Sequence, residues 1–216
     1  NTIRENHDAP ASPPLMRAGT SAQVLLLMEA PGPRTVAAGD LGFSSLDNDD
    51  PTTRQVRRAL TLSRLDPAQC LRWNVVPWAL TGPDGRRRSP RVDDLEDARP
   101  ALSALLAELV DLRVVVPFGS AALEGWMRYL TLAEHPVVVP TLAVPHPSPV
   151  NGHRRQEALQ RTTAALERAA DLCRRAAHSL VRSQLPPTPR RRTSAARRPT
   201  VADMLGTLRR TAMTIL

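Results

Sequence analysis

The sequence predicts an α/β fold: three layers, α/β/α, around a short, mostly parallel four-stranded sheet. Three observations predict it. Short unbroken apolar runs recur, as strands buried on both faces require. Stretches of helical period separate them, with apolar residues three and four apart. The two kinds of segment alternate through residues 23–177 as β-α-β-α-β-α-β-α, the order that builds a parallel sheet with crossover helices.

Taken in order, residues 1–22 carry Pro10, Pro13, Pro14 and Gly19 with scattered charge, and read as a poorly ordered lead-in. Val24 to Met28 is the first buried strand. A long loop follows over 29–50, with Gly32, Pro33, Gly39 and Gly42; loops of that length are often functional. Asp50-Pro51 is a helix start, a capping carboxylate and then proline at the first helical position, and the helix should reach about Leu65. Trp73 to Pro77 reads as the second strand. Gly82-Pro83-Asp84-Gly85 with Arg86, Arg87 and Arg88 reads as an exposed turn. Residues 92–110 present Leu95, Leu102, Leu105, Leu106 and Leu109 on one face, with Pro100 expected to kink or split the helix. Leu112 to Pro117 is the third strand, and Gly119-Ser120 opens a helix over 120–130. Residues 137–144 are the fourth strand, open to a break at Pro140. A long helix over 153–177 places Leu159, Leu166, Ala169 and Cys173 together. After His178 the periodicity stops. Pro186 to Arg192 is linker-like, and a short amphipathic helix is expected at about 200–214.

Charge is unevenly placed along the 216 residues. The formal net charge is +8. Residues 178–216 hold eight arginines and one acid, a net +7, whereas residues 1–177 hold 21 arginines against 20 acids, a net +1. The domain over 23–177 is therefore nearly neutral and the tail is basic. Such a tail is either a solvated extension or a salt-sensitive attractor of phosphates. There is no lysine, which reads as a coding bias toward arginine. Cys70 and Cys173 have no metal-site spacing and read as reduced, buried thiols. No apolar run approaches the length of a membrane span. The chain opens on Asn1, as a trimmed chain or a fragment would, and with no export signal in view the expected location is the cytoplasm.

Two motifs carry the chemistry. Glu29-Ala30-Pro31-Gly32 follows the first strand, and His146-Pro147-Ser148-Pro149 follows the fourth. In an open α/β sheet the ligand crevice lies outside the carboxyl ends of the strands, so a carboxylate and an imidazole are expected at one site. Asn74 sits between Trp73 and Val75, an unfavourable residue for a strand interior and one that needs a reason.

With these segments in view, residues 23–175 resemble the uracil-DNA glycosylase superfamily. Glu29-Ala30-Pro31-Gly32 is similar to its first motif, with Met28 where that branch usually has glycine. Trp73-Asn74-Val75-Val76-Pro77 is similar to its Asn-Val-Val segment, Val116-Pro117-Phe118-Gly119-Ser120 to its third strand and glycine turn, and His146 to Asn151 to its last motif. The resemblance implies removal of uracil or a related deaminated base from DNA by base flipping. Glu29 would orient the attacking water and stabilise a cationic sugar; read structurally, it is a loop or capping residue. His146 would donate to the leaving base; read structurally, it anchors a proline-rich loop. Asn74 would read the base by its amide, Phe43 would stack on it, and Ala30 would line the pocket. Val150 would be a small apolar wedge, and Ser148, Arg154 and Arg155 would hold phosphates.

Two features set limits. Asp47-Asn48-Asp49-Asp50 is no calcium loop, because its sixth position is Thr52 and its twelfth Arg58; Asp47 or Asp49 is instead open to a share of the catalysis. The iron–sulfur branch of the family needs four cysteines, so this chain is expected to hold no cluster, no metal and no other cofactor. The expected partner is DNA containing a deaminated base, met by a monomer with no membrane association. The rival reading is a non-catalytic nucleic-acid-binding module on the same fold; a further one is an enzyme for another deaminated base such as hypoxanthine.

Overall fold

The structure is a computed structural model that describes residues 19–32, 50–147 and 154–184, with side chains described as far as 176. The chain divides into two compact units, residues 1–179 and 180–216. The first contains the sheet. Its strands are β1 (Val24–Met28), β2 (Cys70–Asn74) and β3 (Val114–Pro117). Its helices are α1 (Pro51–Ser63), α2 (Val92–Glu108), α3 (Ser120–Leu132) and residues 155–179 of α4 (Arg155–Gln184).

β1 is central, pairing in parallel with β2 from Val24↔Cys70 to Met28↔Asn74 and with β3 from Val24↔Val114 to Leu27↔Pro117. Every residue of β1 is buried because both of its faces are covered. Leu25 and Leu27 pack with Leu95, Ala98, Leu102 and Leu106 of α2 and Ala122 and Trp126 of α3. Val24, Leu26 and Met28 pack with Val56, Ala59 and Leu60 of α1 and Leu166, Ala169 and Cys173 of α4. This is the three-layer α/β/α arrangement, and it explains why the strand reads as a continuous apolar run rather than an alternating one.

Among the described residues the sheet has three strands rather than the expected four. Residues 140–144 do lie parallel to β3: Val115 N donates to Pro140 O (3.0 Å), Leu142 N to Val115 O (3.0 Å) and Val144 N to Pro117 O (3.0 Å). The bond between the second and third of these would come from the amide of Pro117, which has no N–H. Only two separate bridges result, Val115↔Thr141 and Phe118↔Val144. Aromatic side chains of α3 hold this edge segment instead. Trp126 Nε1 donates to Thr141 Oγ1 at 2.7 Å, and Tyr129, stacked on Trp126, accepts from Val137 N at 2.8 Å.

Other boundaries moved too. The second strand is Cys70–Asn74, not 73–77, because a 3-10 turn at Pro67–Gln69 feeds it directly into register with Val24. Ala22, assigned to the lead-in, is fully buried, and Gly19–Ser21 is a 3-10 turn. Pro100 removes a hydrogen bond but does not split α2. The final helix runs past 177 to Gln184. The expected helix at 200–214 lies outside the described residues. Asp50 caps α1 as expected, accepting from Thr53 N at 2.9 Å. Cys70 and Cys173 are both buried and free, and burial pushes the Cys70 thiol up to about 12. No helix among the described residues is long and apolar enough to cross a membrane.

Candidate active site

Three segments end side by side at the carboxyl edge of the sheet. β1 delivers Glu29. Pairing with β2 continues beyond the regular strands, with Val75 N donating to Met28 O (2.8 Å) and Val76 N to Glu29 O (3.0 Å), so the backbone of Glu29 is held by its neighbour. β2 ends on Asn74, which lies opposite Met28 and is 5% exposed. The edge segment delivers His146 two residues after Val144, whose carbonyl accepts from Gly119 N at 2.8 Å. Glu29, Asn74 and His146 thus converge on the edge where open α/β sheets bind ligands.

His146 rests on Gly119, the turn between β3 and α3. Gly119 has φ 88° and ψ 175°, a backbone region essentially reserved for glycine. A Cβ there would stand 2.9 Å from His146 Cβ, closer than such atoms come. The glycine therefore makes the turn and also makes room for the imidazole. Burial lowers the His146 pKa from its ordinary 6.5. The nearby Arg87 and Arg72 cations push the same way, while Glu29 and Asp50 oppose them. The ring is accordingly neutral at pH 7, a donor without a charge.

Beside the site lies a charged pedestal that the sequence did not suggest. Arg72, in the middle of β2 and only 8% exposed, donates from Nη1 to Thr53 Oγ1 at 2.6 Å. The Thr53 hydroxyl in turn donates to Asp50 Oδ2 at 2.6 Å. Burial alone would raise the Asp50 pKa; the Thr53 hydrogen bonds and the Arg72 charge outweigh it and leave the carboxyl below its ordinary range. The network fastens the start of α1 to the strand that carries Asn74. A buried charge is tolerable only with such partners.

The run Arg86-Arg87-Arg88 was expected in an exposed turn; Arg86 and Arg87 are exposed and Arg88 is half-buried, but two of the three are committed to carboxylates. Arg88 forks onto Asp94 at 2.5 and 2.7 Å. Arg87 reaches across to Glu29, Nη2 to Oε1 at 3.3 Å. An ion pair across 58 positions leaves no local pattern, so nothing in the sequence marked Arg87 as part of the site.

The remaining site residues divide by position. Ala30 is buried directly beyond Glu29. Phe43, Asp47, Asp49, Ser148 and Val150 lie outside the described residues. Arg154 and Arg155 are exposed at the start of α4. Arg154 lines a cleft of about 410 Å³ together with Gly119, Ser120, Val144, Pro145, Glu157 and Arg161. Among the described residues no group of three or more His, Cys, Asp and Glu could hold a metal ion.

A family model described as the uracil DNA glycosylase superfamily matches residues 17–170, most of the chain. No curated protein matches the sequence. Among solved structures, the crystal structure of wild-type Pedobacter heparinus SMUG2 is similar at 11% identity and a TM-score of 0.45. The similarity covers 76% of this chain and 77% of that one.

Proposed function

The chain belongs to the uracil DNA glycosylase superfamily, a family of glycosylase-type hydrolases, and from that premise we propose that it removes uracil, or a related deaminated base, from DNA. The observation that carries the proposal is the convergence of Glu29 and the half-buried His146, whose pKa desolvation lowers, on the edge where β2 ends in Asn74.

The chemistry follows from what N-glycosidic cleavage needs. As the bond to C1′ lengthens, the sugar gains positive charge and the base gains negative charge. The Glu29 carboxylate stabilises the first and orients water for attack on C1′. The His146 N–H donates to the carbonyl oxygen on which the base anion gathers its charge. A neutral imidazole suits this role, because it gives up no proton and takes none. Water supplies OH to C1′, its proton leaves with the base or through Glu29, and the products are free base and an abasic site. Asn74 offers one donor and one acceptor; held with its N–H toward O4 and its oxygen toward N3–H, the amide matches uracil and mismatches the amino group and bare N3 of cytosine. Phe43 would supply the stacking face and Val150 the wedge, with Ser148, Arg154 and Arg155 on phosphates. In the cleft bounded by Arg154, Arg161 and Ser120, a flanking phosphate would be held by Arg154 and would compete with Glu157 for Arg161, which that carboxylate pairs at 3.5 Å.

The test is an oligonucleotide carrying one uracil, single- or double-stranded, incubated with the protein and then treated with alkali. Strand scission at the uracil, lost in Glu29→Gln, is the expected result. Binding without scission would favour a module that only recognises the lesion; scission at hypoxanthine alone would reassign the base.

A further inference from the structure

We infer that Arg87 is a positioning residue for Glu29, fixing one carboxylate oxygen so that the other is presented to the attacking water. The inference rests on the glycosylase reading above and deepens it.

The first support is how Arg87 is held. Its stretch of chain is a braced hairpin: Gly85 N donates to Gly82 O (3.0 Å), Gly82 N to Arg86 O (2.7 Å) and Arg88 N to Leu80 O (3.1 Å). Thr81 and Arg87 form an antiparallel bridge. The next residue is clamped as well. The two-pronged bond from Arg88 to Asp94 holds that carboxyl down to about 2, so it is ionised throughout the neutral range. Asp94 also accepts from Arg91 N at 2.7 Å, tying the clamp to the start of α2. Side chains alternate along an extended chain, so with Arg88 committed to Asp94, Arg87 is directed the other way, toward Glu29. The braced backbone fixes where the Arg87 side chain starts, so only its own torsions are restricted when the pair forms.

The second support is what Glu29 lacks otherwise. Among the described residues, Arg87 is the only side chain that hydrogen-bonds its carboxylate, and the bond goes to Oε1. Oε2 is left for a ligand. The Glu29 side chain is 17% exposed and that of Arg87 is 40% exposed, so the pair closes one flank of the site without sealing it. Arg87 is also near enough to His146 to help keep that ring neutral. One residue therefore acts on both groups assigned to the reaction. The opposing effect is that its charge partly cancels the field Glu29 exerts on the sugar cation. Water screens that cancellation at a half-exposed guanidinium, whereas misplacing a reacting group by about 1 Å can cost about a hundredfold.

The experiment is a double-mutant cycle on single-turnover base release from the uracil oligonucleotide: wild type, Arg87→Ala, Glu29→Gln and the pair, with Arg87→Lys as a charge-keeping variant. Arg87→Ala should lower the rate of the chemical step about ten- to a hundredfold with little change in KM. In the Glu29→Gln background the same change should cost nothing further, because the group it positions is gone. Arg87→Lys should recover part of the loss. An equal loss in both backgrounds would overturn the inference, as would a raised KM with an unchanged rate, the mark of a phosphate contact. A faster Arg87→Ala enzyme would overturn it in the opposite sense. Thermal melts separate unfolding from these outcomes, and if Arg87→Ala melts early, Arg87→Lys and Arg87→Gln carry the same comparison. A wild-type protein that releases no base would fail the parent reading first and this inference with it.

Discussion

Replacing Gly119 by alanine should injure both stability and base release, and the two losses have different structural origins. The backbone at Gly119, with φ 88° and ψ 175°, lies where a residue with a Cβ is strained by about 1–3 kcal/mol. For a domain of this size each kcal/mol lowers Tm by about 2–4 °C, so the melt should fall by about 2–12 °C. The second loss is geometric. The new methyl would sit 2.9 Å from His146 Cβ, and neither partner is the end of a flexible chain. Relief must come from movement of the His146 backbone, because the Gly119 amide is already tied to Val144 O. A donor moved out of line is worth little in the transition state. The ceiling on the rate loss is the removal of one such donor, about 10²–10³-fold. Single-turnover release of base from a uracil oligonucleotide, beside a thermal melt, reads both quantities. His146→Ala supplies the reference: in that background Gly119→Ala should still lower Tm but should cost little further rate. Wild-type melting and turnover for Gly119→Ala would refute the reasoning outright. A lowered Tm with an unchanged rate would refute the seat beneath His146 and leave only the strained turn.

Three further outcomes are expected. Gly125→Ala puts a Cβ 2.3 Å from Val75 Cγ2 and 3.2 Å from Leu95 Cδ2, inside the helix-to-sheet contact; overpacking there should cost about 1–3 kcal/mol in a denaturant melt, with no loss if α3 can shift freely. His146 should titrate below its ordinary 6.5 when followed by NMR, and should move upward in Arg87→Ala. The sign for stability follows: the unfolded chain takes up the proton first as pH falls, so the contribution is complete above about 6.5, declines as pH drops toward the folded value and is constant below it. A titration at or above 6.5 would contradict the desolvation of the ring. Trp126→Phe removes the donor to Thr141 Oγ1 and should cost about 1–3 kcal/mol, and base release should slow because the segment ending in His146 is loosened; a rate equal to wild type would show that the Gly119–Val144 bond suffices to hold it.

What the sequence disclosed and what it hid follow from the range of each interaction. β1 was legible because burial on both faces makes a strand uniformly apolar, and α1 because Asp50-Pro51 acts within one turn of itself. β2 was misplaced by three residues because its interior carries Arg72, whose burial depends on Thr53 from a different element. The edge segment reads as a strand in its own residues; what interrupts it is a proline on the neighbouring strand, Pro117, whose missing N–H shows only once the register is known. The site divides the same way. Glu29 and His146 were marked because each follows an apolar run, and the carboxyl ends of parallel strands are where such a fold gathers its ligand groups. Gly119 was marked as a turn, but its second task, leaving space for His146, depends on a residue 27 positions later. Arg87 was hidden most completely. Its neighbours in sequence, two arginines and a Gly-Pro-Asp-Gly turn, describe a solvated loop. The pairing with Glu29 joins residues 58 positions apart, while the next residue, Arg88, is bonded to Asp94. A sequence reports well the groups whose environment is made by their neighbours in the chain, and poorly those made by long-range packing; here the second kind includes the side chain that touches the proposed catalytic carboxylate.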